Sequence, residues 1–427
     1  MKLLTAILIV SASSVFACSS SSGGSGATGG STGTGGSADD SGAGAGGTVS
    51  GTSDASDAPT AVIPPDADVT EKTIAPTDAH IRYSGRIDMA NAGGPRFSGS
   101  AVSISLKFQG VGVSVGLRDE FRGGTSGNYF DAWIDDGPPI KLKMQPSSVM
   151  LTYPIASNLA YGEHTVKIGK RTEGDTGMST FLGFKVQGTV LDPPAAPARK
   201  MEIIGDSITA GAGMEAVNGS AQCSEDGYGQ PYENGNLAYG PVLARRLSAE
   251  YHVQGVSGIG LYRNYFNRDA RTMPQVYDSL FTEETASPAY DETQFVPDAV
   301  IIGLGTNDFS TNAAVGTREK LDVAAFTQAY VDFVTKLRGL YPNAHIFCTS
   351  SSLLGDGYPT AADHFFTDLQ TVVATVAQQL NTAGDANVHS FAYTKVNGTG
   401  CGSHPGVPQQ ASMAQELGDY VAMVMSW

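Results

Sequence analysis

Apolar positions recur every second residue from about Pro64 to Leu191. Val102, Ile104, Leu106 and Phe108 alternate with small or polar residues, and after Gly110 so do Val111, Val113, Val115 and Leu117. Ile134-Asp-Asp-Gly137 followed by Ile140, Leu142 and Met144 reads as strand, turn, strand, and Val166, Ile168, Leu182, Phe184 and Val186 continue the pattern. Many short strands with turn signals and no helical period predict an antiparallel β-sandwich over residues 64–195. Past the stiff break Asp192-Pro-Pro-Ala-Ala-Pro197 the pattern changes. Strands are predicted at Met201–Ile204, His252–Val256, Ala299–Leu304, His345–Thr349 and Val388–Ala392. Helical faces lie between them: Val242, Leu243 and Leu247; Phe326, Tyr330, Phe333, Leu337 and Leu340; Phe365, Leu369, Val372, Val376 and Leu380. Such alternation predicts an α/β body over residues 196–427, a parallel sheet between two helical layers.

Before residue 64 neither period is present. Residues 19–63 are mostly Ser, Gly, Ala, Thr and Asp, which bury little apolar surface and predict a disordered tether. Such a coil spans roughly 35–40 Å r.m.s.. Lys2 and the run Leu3-Leu-Thr-Ala-Ile-Leu-Ile-Val10 form a targeting segment too short to span a bilayer, over residues 1–18. Val15-Phe16-Ala17-Cys18 resembles a bacterial lipobox, with Cys18 as the lipidated residue. The expected location is the bacterial cell envelope, as an outer-membrane lipoprotein facing the periplasm or the cell surface, with a secreted form as the alternative. The membrane would be a partner only through that anchor. A net charge of −16 argues against nucleic acid as a partner and is compatible with a neutral sugar polymer.

Candidate chemistry centres on Met201-Glu-Ile-Ile-Gly-Asp-Ser-Ile-Thr-Ala-Gly-Ala-Gly213. A short apolar strand runs into a glycine-bearing turn that leaves Ser207 where a parallel sheet places its ligands. Taken alone, Ser207 reads more readily as a helix cap. Three further strand ends change that: Gly258 follows the second strand, Asn307 the third, and His404 in Gly402-Ser-His-Pro-Gly406 the last. A serine hydroxyl needs an imidazole to take its proton, and the tetrahedral intermediate needs donors. His404 would be the base, and the N–H groups of Ser207 and Gly258 with the Asn307 amide would form the oxyanion hole.

Gly205-Asp-Ser207, Gly258, Asn307 and His404 stand in the order of the SGNH (GDSL-like) hydrolase blocks. More narrowly, Ile204-Gly-Asp-Ser-Ile-Thr-Ala-Gly211, Ala238-Tyr-Gly240, Ser257-Gly-Ile-Gly-Leu-Tyr-Arg-Asn264, Met273-Pro274, Gly303-Leu-Gly-Thr-Asn-Asp-Phe-Ser310 and Cys401-Gly-Ser-His-Pro405 resemble carbohydrate esterase family 2. The resemblance covers about residues 65–427. It implies a jelly-roll sandwich ahead of an SGNH three-layer catalytic domain, and O-deacetylation of acetylated plant polysaccharides such as xylan or mannan, with no metal and no cofactor.

Two departures stand out. Relatives often carry an acid three or two residues before the histidine; here those positions are Cys401 and Gly402. A Ser207–His404 dyad with the imidazole held by a backbone carbonyl is therefore expected. Ala212 stands where relatives usually carry an aromatic residue. Tyr262, Arg263 and Asn264 are candidates to line the substrate cleft, with an ordinary ion pair as the alternative for Arg263. Asp206 and Asp308 are expected to brace loops, and the remaining histidines to be structural. Three cysteines follow Cys18, allowing three pairings; Cys348–Cys401 is the expected disulfide, since both sit at or beyond predicted strand ends near one sheet edge. Two other functions stay open: a lipase- or thioesterase-type acyl hydrolase, and a non-catalytic glycan-binding surface protein.

Overall fold

A computed structural model describes residues 63–122, 127–145, 150–217, 223, 229–265, 271–311 and 318–427. The targeting segment, Cys18 and nearly all of the tether fall outside them. The described residues form one compact unit.

The alternating region forms nine strands: β1 (Glu71–Ile74), β2 (Arg82–Ser84), β3 (Arg96–Phe97), β4 (Ser103–Phe121), β5 (Tyr129–Ile134), β6 (Ile140–Lys143), β7 (Leu151–Ala156), β8 (Gly162–Lys170) and β9 (Gly177–Leu191). All pairings are antiparallel, in the order β1-β9-β4-β8-β5-β6, with β2 and β7 also on β4 and β3 on β9. The long β4 is the spine. It pairs with β8 over Ser103–Gly110 and with β7 over Val113–Leu117. The predicted period explains the core, because one side chain in two points inward: Ile104, Leu106, Phe108, Val113, Val115 and Leu117 are buried with Phe97, Phe130, Val166, Ile168, Phe181 and Val186.

The second region forms five parallel strands in the order β11-β10-β12-β13-β14: β10 (Arg199–Gly205), β11 (Ala249–Gly255), β12 (Ala299–Gly303), β13 (His345–Thr349) and β14 (Val388–Phe391). The observed β11 starts three residues before its prediction. Two cores cover the two faces. Ile204, Val300, Ile302, Ile346 and Cys348 pack under the helices Val323–Leu340 and Phe365–Thr382. Met201, Ile203, Ala299, Ile301 and Phe347 pack under the helices Tyr239–Arg246 and Val407–Met425. Asp322 starts the first of these helices, its carboxylate accepting the Ala324 and Ala325 N–H groups at 3.0 Å each. Leu340, assigned to the apolar face by spacing, is exposed in the last turn.

The disulfide expectation is corrected. Cys401 is bonded to Cys223, with Cα atoms 5.8 Å apart, and Cys348 is a free, buried thiol. Cys348 points from β13 into the core beneath two helices, whereas Cys401 sits on a loop above the sheet. Position near a strand end does not decide which face a side chain takes.

Candidate active site

A single residue, Asp206, separates Ser207 from the end of β10, and Ser207 opens the one-turn helix Ser207–Ala210. Asp206, not Ser207, caps that helix, its Oδ1 accepting the Ile208 N–H at 3.0 Å. The serine hydroxyl is therefore free of capping duty. The C-terminal helix is fixed to this turn by Gln410, whose side chain accepts the Tyr239 N–H at 2.8 Å and donates to the Ile208 carbonyl at 3.0 Å.

His404 comes from the loop between β14 and that last helix. Its Nε2 lies 2.7 Å from Ser207 Oγ, and its Nδ1 lies 2.7 Å from the Cys401 carbonyl oxygen. A carbonyl only accepts, so Nδ1 carries the proton and Nε2 presents its lone pair to the hydroxyl. Burial holds the imidazole below its usual 6.5, with the Cys401 carbonyl opposing. The ring is thus neutral at neutral pH. The orienting carbonyl is itself anchored: Cys401 is disulfide-bonded, and its N–H donates to the Gly213 carbonyl at 3.0 Å. Gly213 has φ +58°, and a Cβ there would meet Cys401 Cβ at 2.3 Å, so this close approach requires glycine.

Gly258 sits at φ +80° in the turn after β11 and lines the same cavity as Ser207, Asn307 and His404. Asn307 Nδ2 donates to the Ile259 carbonyl at 2.8 Å and reaches Asp206 Oδ2 at 3.5 Å. Asp206 is fully buried, and burial pushes its carboxyl up to about 6. Asp308 is equally buried and accepts the N–H groups of Leu261, Tyr262 and Arg263 at 2.7–3.0 Å. Both brace loops.

Two cavities meet at His404, Ser257 and Gly402. One, of about 540 Å³, is bounded by Ser207, Gly258, Asn307, Leu353, Leu354, Tyr358 and Phe365. The other, of about 530 Å³, is bounded by Phe121, Arg122, Glu173, Asp175, Ala212, Gln230 and Glu233. About a third of the second is built by the sandwich. Among the described residues, no group of three or more His, Cys, Asp or Glu side chains is arranged to hold a metal ion.

Residues 83–194 match the family model described as carbohydrate esterase 2 N-terminal, and residues 201–417 that of the GDSL-like lipase/acylhydrolases. A solved family two carbohydrate esterase from Clostridium thermocellum, in complex with cellohexaose, is 30% identical with TM-score 0.70, over 81% of this chain and 99% of that one. The chain belongs to carbohydrate esterase family 2. An acetylxylan esterase / glucomannan deacetylase of Cellvibrio japonicus is 29% identical over 359 residues, 83% of this chain and 92% of that protein. The cellulase/esterase CelE of Acetivibrio thermocellus is 32% identical over 354 residues, of which this chain spans 40% of the length. Family 2 members are carboxylic ester hydrolases.

Within this family 2 chain, none of the three residues expected to line the cleft lines either of the two cavities that meet at His404. Asn264 Oδ1 accepts the Gly260 N–H and its Nδ2 donates to the Arg271 carbonyl, both at 2.8 Å. Arg263 donates to the carbonyls of Asp308 and Glu319 at 2.8 and 2.9 Å. Tyr262 is exposed and lines neither cavity. The turn curls back around Asp308, whose carboxylate takes three of its N–H groups. Sequence reading missed Glu173, Glu233 and Tyr358. No motif marks them, and Glu173 reaches the site only because the sandwich docks there.

Proposed function

We propose that the chain is a carbohydrate O-acetyl esterase acting on acetylated plant polysaccharide of the xylan or mannan type, with a Ser207–His404 dyad. The observation that carries this is the 2.7 Å contact from Ser207 Oγ to His404 Nε2 together with the Nδ1 contact to the Cys401 carbonyl. Nε2 takes the hydroxyl proton as Oγ attacks the acetyl carbonyl carbon, and the carbonyl π pair moves onto oxygen. The N–H groups of Ser207 and Gly258 and the Asn307 amide face that oxygen. As the intermediate collapses, the imidazolium gives its proton to the sugar oxygen, and the C–O bond to the sugar breaks. Water repeats the sequence on the acyl-enzyme, releasing acetate and restoring Ser207. The printed activities of the Cellvibrio japonicus relative favour this substrate class.

A second reading has one observation in its favour. Leu353, Leu354 and Phe365 line the cavity beside Ser207 and would accept a longer acyl chain. Acetate release from acetylated xylan and glucomannan, set against p-nitrophenyl esters of increasing chain length, separates the two. Loss of turnover in Ser207→Ala and in His404→Ala is expected, and either variant retaining turnover would sink the dyad. We also infer an envelope lipoprotein anchored through Cys18, for which Cys18→Ala should abolish labelling by radioactive palmitate. The antiparallel unit reads as a jelly roll.

A further inference from the structure

Glu173 lies in the turn between β8 and β9, at the end of the sandwich that faces the α/β body. Its side chain is only 3% exposed, and both of its oxygens serve one residue of the other domain. The Ser257 N–H donates to Oε2 at 2.7 Å and the Ser257 hydroxyl donates to Oε1 at 2.5 Å. Ser257 immediately precedes Gly258, and the peptide bond between them carries the Gly258 N–H. Gripping residue 257 at its N–H, which belongs to the preceding peptide, and at its side chain restrains the residue from which the Gly258 peptide departs. The turn bearing Glu173 is itself seated firmly. The Glu173 N–H donates to Glu233 Oε2 at 3.3 Å, and a Cβ on Gly174 would meet the Glu283 carboxyl at 2.1 Å.

Resting on the reading of Ser207 as nucleophile, we propose that Glu173 is a positioning residue of the reaction, supplied by the sandwich, which holds the Gly258 amide where the oxyanion forms. The sandwich is then part of the catalytic apparatus and not only a platform beside it. An oxyanion donor acts through its placement, since donors stabilise the charge only when already aimed at it. Gly258 has left-handed φ and no side chain of its own to lock it. The Glu173 grip supplies that lock.

The test compares p-nitrophenyl acetate hydrolysis and thermal unfolding in the full chain and in Glu173→Ala, Glu173→Asp and Glu173→Gln. Gln keeps a carbonyl oxygen for the Ser257 N–H, and its amide can donate to the Ser257 hydroxyl oxygen, so it preserves a two-point grip. Asp keeps the charge but falls a methylene short. Expected are a kcat in E173A and E173D reduced roughly 10–100-fold with KM within about twofold, and recovery to within about threefold of the full chain in E173Q. A kcat in E173A within twofold of the parent overturns the proposal. So does a rise in KM at unchanged kcat, which would make Glu173 a substrate contact, and so does E173Q as impaired as E173A. Should E173A fail to fold, E173D is judged by the same criteria. A parent chain with no turnover would instead sink the proposed function, a separate and recognisable result.

Discussion

Two of the buried contacts that join the sandwich to the α/β body are built on opposite principles. In the first, Arg86 of the sandwich reaches Glu202 of β10 at 3.2 Å and Glu292 at 3.1 Å, and donates to the carbonyls of Tyr277 and Ser279 beneath the Tyr290 ring. In the second, Glu173, Glu233 and Asp175 lie close together, while Lys170 Nζ, the buried cation beside them, donates to the carbonyls of Thr172 and Glu173. Burial and the neighbouring carboxylates push both glutamates above their ordinary 4.5, and burial lowers Lys170 to about 8. The Arg86 contact opposes unlike charges and lines neither cavity around Ser207. The Glu173 contact crowds like charges and lines one. Unfavourable electrostatics have been kept where the chain aims a backbone donor, and complementary electrostatics where it only joins two domains.

The largest expected effect breaks the first contact. Arg86→Met strands Glu202 and Glu292 without a cation and should cost about 3–5 kcal/mol in urea unfolding, with kcat of the folded fraction unchanged. A cost under about 1 kcal/mol would show the contact is not complementary in the sense argued. Next comes the pH dependence of stability. A glutamate whose folded value is raised binds its proton more tightly in the native state. The native chain therefore holds more protons than the unfolded chain above 4.5, and stability falls as pH rises from there toward the folded values. Glu233→Gln should flatten that slope; an unchanged slope would assign it to other groups, Asp206 first. A smaller shift concerns rate. Because burial lowers His404, the acid limb of kcat/KM should lie below pH 6.5. The smallest effect is expected at an ion pair in neither contact. Asp385 meets Arg338 at 2.8 and 3.1 Å, and Asp385→Asn should cost at most about 1 kcal/mol and leave turnover intact. A large loss of turnover there would mean that a carboxylate does orient the imidazole.

Much of this was readable from local pattern. The turn from β10 into Ser207 is written in Gly205-Asp-Ser207, and each parallel strand announces itself by a short apolar run between turn residues. The lack of an acid before His404 pointed to a carbonyl partner, and Cys401 O occupies that place. What escaped depends on contacts between distant segments. Glu173 is one acid among 42 Asp and Glu residues, in a Glu-Gly-Asp turn that looks like any hairpin connection until the sandwich is docked. The placement of Tyr262, Arg263 and Asn264 was not readable either, because proximity to Gly258 in sequence says nothing of the turn whose N–H groups wrap around Asp308. The cysteine pairing failed for the same reason, since a strand position does not reveal which layer Cys348 enters.

The link from Cys223 to Cys401 carries a consequence for how the protein matures. The oxygen that keeps the imidazole in register belongs to a half-cystine, so oxidative processing and catalytic competence are joined at one residue. Material made in a reducing cytosol would share every atom of the backbone yet leave that oxygen on a loop held by hydrogen bonds alone. Its specific activity should then climb on exposure to a glutathione redox buffer, in step with the disappearance of titratable thiols.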